Sequence, residues 1–209
     1  MDPQKPNFLH RAWRIVRIPL AVIAVLYIGL VIYRIPAVLE KAKTKEVVDK
    51  IHAQKLTLKD VTGDNLPPTP DPALVDATVA GVDANANGIR DDVELAIFKL
   101  HPDSARIRAA ELQYAMDLQS ESILVFNSDT WSAAVKYEGG IGCLVEVAFD
   151  KYTNTRDQIG KSDEWRKEVD GLSFNTSARI LRKAEIKKYE TTVVTGTKDC
   201  DVSIKDLPN

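Results

Sequence analysis

From Ile18 to Tyr33 the chain carries no charge and is nearly all aliphatic, with Arg17 and Arg34 at its borders. Few structures suit such a run, because in lipid a segment must satisfy its own backbone hydrogen bonds, and a helix does so alone. At 1.5 Å per residue the run is slightly short for a hydrocarbon core of about 30 Å. The bordering arginines can snorkel, and Ile15-Val16 and Ile35 to Leu39 extend the apolar character. Tyr33 sits where an interfacial aromatic belongs, and Pro19 is expected in the first turn, where its missing N–H costs least. A cleaved signal peptide is the competing assignment. The run is longer than a typical apolar signal core and no small-residue cleavage site follows it. Residues 18–39 are therefore read as a single transmembrane signal anchor and residues 1–17 as a cytoplasmic tail.

Charge does not orient the span. Lys5, Arg11, Arg14 and Arg17 precede it, and Arg34, Lys41, Lys43 and Lys45 follow it, which is a tie under the positive-inside rule. Two features lean outward. A long C-terminal domain translocates largely regardless of its charges. Cys143 and Cys200, the only cysteines, form an even count compatible with one bridge in an oxidising compartment. Two unrelated buried thiols are the alternative. The expectation is a single-pass protein of a bacterial cytoplasmic (inner) membrane with its C-terminal domain outside.

The richest motif is Asp83-Ala84-Asn85-Ala86-Asn87-Gly88-Ile89-Arg90-Asp91-Asp92-Val93-Glu94. Oxygen-bearing side chains fall at loop positions 1, 3, 5, 9 and 12, and Gly88 stands at position 6, where a sharp turn is needed. Calcium takes six to eight oxygens, and the expected ligands are Asp83, Asn85, Asn87, the carbonyl of Ile89, Asp91 (often through water) and Glu94. Only Asp83 and Glu94 are charged direct ligands, so the expected Kd is weak, roughly 10⁻⁵ to 10⁻³ M. A weak site fills only where calcium is plentiful, which again favours the outer side. The competing reading is an Asn/Asp/Gly turn that caps a helix and binds nothing.

The loop resembles an EF-hand loop and the single-helix loops of dockerins and thrombospondin-type repeats. Two departures stand out: Arg90 occupies position 8, usually aliphatic, and the segment before the loop, broken by Gly81, is a poor entering helix. Leu66-Pro67-Pro68, Pro70-Asp71-Pro72, the loop, a helical domain and the late Cys200 together resemble a set of uncharacterised bacterial membrane-anchored proteins. That resemblance runs from about Leu56 to the C-terminus. It implies an envelope protein with a calcium loop and brings no activity.

The rest reads as mainly α. Residues 40–72 are expected to be a stalk and linker: a solvated helix over Pro36 to Gln54, on its sparse stripe of Val38, Val47, Val48 and Ile51, and then a stiff polyproline linker from Asn65 to Pro72. Within that stretch Leu56 to Val61 alternates weakly, as a short extended segment would. Residues 73–209 are assigned as one extracytoplasmic helical domain containing loop 83–94. Its expected helices are Asp91 to Leu100, Asp103 to Phe126 (Ile107, Leu112, Tyr114, Met116 and Leu118 inward), Trp131 to Tyr137, and Thr176 to Thr191 capped by Asn175. Gly142 to Tyr152 suits a core helix or a buried strand. The tail from Thr192 looks irregular, and without a bridge it should be protease-sensitive near Lys198.

No catalytic constellation is identified. His10, His52 and His101 are scattered over the tail, the stalk and a pre-proline turn. Gly140-Ile141-Gly142-Cys143 has only His101 as a possible base, so a structural cysteine is preferred. Arg179, Arg182, Lys183, Lys187 and Lys188 read as a solvated helix face, and a formal net charge of −2 gives no case for nucleic acid. The function expected from sequence is a non-enzymatic, membrane-anchored domain, stabilised by Ca2+, that binds an envelope protein or polymer. An enzyme or accessory subunit with an unrecognised site, and a plain spacer, are the alternatives.

Overall fold

The computed structural model describes residues 8–137, 139–192 and 199–208, so Lys5 and Lys198 lie outside the described residues. All regular structure among these is helical, and the chain divides into two compact units, Met1–Lys45 and Glu46–Asn209. Helix α1 (Phe8–Ala53) runs without a break through Pro19 and Pro36. Because α1 starts at Phe8, Pro19 lies in the helix interior and not in a first turn, so it removes an intrahelical hydrogen bond. A window of this helix within Val16–Ala53 is long and apolar enough to cross a membrane, and none of that window is buried.

The second unit begins earlier than Ala73. Val47 and Ile51, at the end of α1, are buried with Val125, Ala133, Ala134 and Ile186, so this stretch is part of a core and not a solvated stalk. Val48 is partly buried and packs against the same cluster, so the stripe is sparse but in use. Leu56 to Val61 is not extended either. Helix α2 (Leu58–Thr62) follows Thr57, whose amide and hydroxyl both donate to Asp60, and Leu56 and Val61 are buried. The proline-rich segment lies against the unit, with Pro67 buried and the short helix α3 (Pro72–Val75) capped by Asp71.

Helix α4 (Asp91–Leu100) carries three acidic residues in its first turn, as the dipole favours, and ends before Pro102. Helix α5 (Ala105–Leu124), capped by Ser104, is the centre of the unit. It is buried on nearly every side, including Arg108, Glu111, Gln113, Asp117, Ser120 and Ser122, so its sequence shows almost no amphipathic stripe. Its buried polar groups act as sockets for surrounding segments. The Arg108 guanidinium donates to the carbonyls of His101 and Pro102, and Asp117 accepts the Gly140 amide at 2.7 Å.

Around α5 pack α6 (Ser128–Tyr137), α7 (Gly140–Lys151), α8 (Thr155–Ser173) and α9 (Ser177–Ile186), the last followed by a 3-10 turn, Lys187–Tyr189. The Gly142 to Tyr152 ambiguity resolves as helix. Helix α8 is not anticipated by the sequence. Only Gln158, Trp165 and Val169 of it are buried, too thin a stripe to stand out. Thr176, not Asn175, caps α9, accepting the Arg179 amide.

Cys143 on α7 is bonded to Cys200 in the tail, with Cα atoms 4.6 Å apart. The tail is held by more than this bridge. Ile204 and Leu207 are buried, the Asp201 amide donates to Gln113 Oε1 at 2.7 Å, and the Leu56 amide donates to Asp201 Oδ2 at 2.9 Å.

Candidate functional site

The segment 83–94 folds back on itself and closes through the Asp91 amide, which donates to the Val82 carbonyl at 2.8 Å. Gly88 has φ +85°, where a residue without Cβ is at ease, and Ala86 shares the left-handed region at φ 55°. The Asp83 carboxylate accepts the amides of Asn87 (3.2 Å) and Gly88 (3.0 Å). Asn87 Oδ1 accepts the Ile89 amide, and Asp91 Oδ1 accepts the Ala84 amide. These bonds orient the side chains of loop positions 1, 5 and 9 before any ligand is considered. Ile89 itself is fully buried and pins the loop to the core.

Asp91 and Glu94 are buried despite their charge. The Asn85 amide donates to Glu94 Oε2 at 3.1 Å and to the Asn65 carbonyl at 2.7 Å. Three buried oxygens have no hydrogen-bond partner: Asn85 Oδ1, Asp91 Oδ2 and Glu94 Oε1. Buried acceptors are rarely left so, and each costs about 1–3 kcal/mol. Burial pushes the Glu94 carboxyl up to about 7, and the nearby charges of Asp60 and Asp91 add to this. Burial likewise raises Asp91, helped by Asp83 and Asp92. Carboxylates gathered out of water with unused lone pairs are poised to accept protons or a cation. The donor set is all oxygen, which suits a hard divalent ion.

Sequence reasoning missed two parts of this site. Asp60 comes from α2. Burial alone would raise its pKa, but hydrogen bonds from Thr57 and Asn65 outweigh that and hold it below the usual carboxylate range. It therefore adds a fixed negative charge beside Glu94. Its only signal was Thr57 three residues earlier, an N-cap pairing. An open cleft of ≈ 560 Å³, lined by Gln54, Lys55, Asp60, Asp83, Asn85 and Asn87 among others, leads from solvent to the loop.

Arg90 is the second. It is buried, pairs with Asp92, and donates to the carbonyls of Leu172 and Ser173 at the C-terminal end of α8. A cation there meets the carbonyls and the negative end of the helix dipole. Position 8 thus docks the loop onto α8. Arg179 does similar work nearby, donating to the carbonyls of Val75, Thr78 and Val79 and to Asp76 and Asn175. Arg182 reaches the carbonyls of Ser122 and Val125. Arg179 and Arg182 are therefore structural clamps and not members of a solvated basic face. The Cys143–Cys200 bridge also removes Cys143 from consideration as a nucleophile.

No protein-family model, curated protein or solved structure matches this chain.

Proposed function

We propose that the chain carries a calcium-stabilised helical domain, tethered by α1 to a bacterial inner membrane and facing the oxidising side, where it binds a partner. The unpartnered, buried oxygens of Asn85, Asp91 and Glu94 carry the calcium reading. Asp83, Asn85, Asn87, the Ile89 carbonyl, Asp91 and Glu94 are the ligands, in the order of an EF-hand-type loop. The apolar window of α1 supports the tether, and the disulfide supports the oxidising compartment. Exposed Ile141, Val145 and Phe149, spaced four residues apart on α7, support partner binding.

Thermal melting of the full chain in detergent, after chelation, tests the ion. Added calcium raises the melting temperature by an amount that follows mass action, about 2.7 kcal/mol at a hundredfold excess over Kd. Asp83→Ala and Glu94→Gln lose the gain. A wild-type protein whose melting temperature does not move at about 10 mM calcium, roughly ten times the weakest Kd of this ligand class, is incompatible with the reading.

A further inference from the structure

A second group of ligating side chains lies away from the loop. His101 follows α4, Glu111 sits on the central helix α5, and Glu168 on α8. His101 Nε2 is 3.1 Å from Glu111 Oε1 and 3.5 Å from Glu168 Oε2, and one ligand atom from each residue lies within 4.8 Å of the others. The Glu111 side chain is fully buried, and its second oxygen, Oε2, has no hydrogen-bond partner; Glu168 Oε2 has none either. The sequence hides this group, since the three residues come from separate segments and only one is a histidine.

From these contacts we propose that His101, Glu111 and Glu168 form a site for a borderline transition-metal ion, Zn2+ foremost, distinct from the calcium loop. Four observations converge on it. Metal–ligand bonds of about 2.0–2.2 Å in a tetrahedron put ligand atoms roughly 3.4 Å apart, close to both measured histidine–carboxylate separations. An imidazole nitrogen beside two carboxylates suits zinc and disfavours calcium, which takes oxygen. Exposure also matters. The side chains of His101 and Glu168 are 17% and 35% exposed, so an ion can enter and water can fill a fourth position. Three protein ligands with one open position is the arrangement of zinc sites that bind an exchangeable ligand.

The charge balance fits as well. Burial pushes the Glu111 carboxyl up to about 7, although the His101 hydrogen bond opposes this, and Glu168 adds like charge. Burial works against a charged His101, but the hydrogen bond and charge of Glu111 outweigh it. Without a metal, His101 Nε2 and Glu111 Oε1 are joined by a hydrogen bond. A divalent ion would take the place of the shared proton and supply a partner for Glu168 Oε2.

Titration calorimetry of the full chain in detergent, stripped of metals and then saturated with calcium to fill the loop, tests the site with Zn2+ alone. One equivalent binds, with proton release seen as a heat that depends on the buffer. Co2+ in place of zinc gives the visible bands of a four-coordinate ion. Glu168→Gln, at a partly exposed position, and His101→Gln each weaken zinc by more than about 100-fold, beyond the loss typical of residues that only support a ligand. The calcium-dependent melting shift, unchanged in both, shows that the variants fold. Zinc affinity equal in wild type and Glu168→Gln, or an octahedral Co2+ spectrum like that of the ion in water, would overturn the assignment and leave a proton-sharing cluster.

Discussion

Gly140 shows what one side chain's absence achieves. It starts α7 where that helix meets the middle of α5, and a Cβ placed there would lie 2.4 Å from the Tyr114 Cα and 2.7 Å from Asp117 Oδ2. Backbone cannot give way as a flexible side chain can, so Gly140→Ala forces the two helices apart and strains the bond from the Gly140 amide to Asp117. The expected loss is about 1–3 kcal/mol, the range for overpacking a core. Gly160, in α8, has nothing within 4 Å of its Cβ position. There the same substitution is neutral or raises stability by about 0.5–1 kcal/mol through helix propensity. Chemical denaturation of the two variants separates them, and an undiminished midpoint for Gly140→Ala would contradict the close approach. At this scale the sequence spoke unevenly. Gly88 was readable because its role is set by neighbours in the loop. Gly140 was one of three glycines in four residues, and the residue it approaches, Tyr114, lies on another helix.

Among the elements, legibility followed how much of the information was local. The start of α4 was written in its acidic first turn and its end in Pro102, and the helix runs Asp91–Leu100 as the sequence indicated. Helix α8 was missed because its burial rests on Gln158, Trp165 and Val169 against α5 and α7, partners no local pattern reveals. The spacing of oxygen-bearing side chains along the loop was readable for the same local reason, whereas Asp60 joins them only through the fold. Arginines were misread because a basic residue on a helix is usually solvated, and carbonyls at the ends of other elements are invisible in sequence. The consequence for Arg179 can be measured. Its guanidinium satisfies three carbonyls of the segment 75–79, so Arg179→Met keeps the volume but leaves those acceptors unpartnered. A loss of about 1–3 kcal/mol is expected, the cost of leaving a carbonyl acceptor without its partner. Amide hydrogen exchange should localise it to residues 72–82, just before the loop. Exchange unchanged in that segment would show that the Gln119 bond to the Ala80 carbonyl holds it unaided.

Taken whole, the folded unit is closed by one covalent link across 57 positions between Cys143 and Cys200. In the chain-entropy model a loop of that length contributes about 4 kcal/mol by restricting the unfolded chain. Typical domains have about 5–15 kcal/mol in total, so reduction should lower the melting temperature visibly. The tail should nevertheless stay docked, because Ile204, Leu207 and the bonds of Asp201 do not depend on the sulfurs. Comparing melting and limited proteolysis with and without reductant checks both halves of this expectation. A tail digested as soon as the bridge is reduced would show that the bridge alone retains it. Mass spectrometry of protein taken from the membrane without reduction bears on the compartment, since two free thiols there would contradict an oxidising location.

The hydrogen bond from the Leu56 amide to Asp201 spans 145 positions. Leu56 is among the earliest buried residues of the second unit to be synthesised, and its partner is among the latest. At ribosomal rates of roughly 5–20 residues per second, the interval between them is about 7–30 s. Throughout that interval Leu56 and Val61 belong to a core whose far wall, Ile204 and Leu207, does not yet exist. Assembly of this part of the unit therefore waits for Asp201, Ile204 and Leu207 to be synthesised, and until then its apolar residues stay uncovered on the nascent polypeptide.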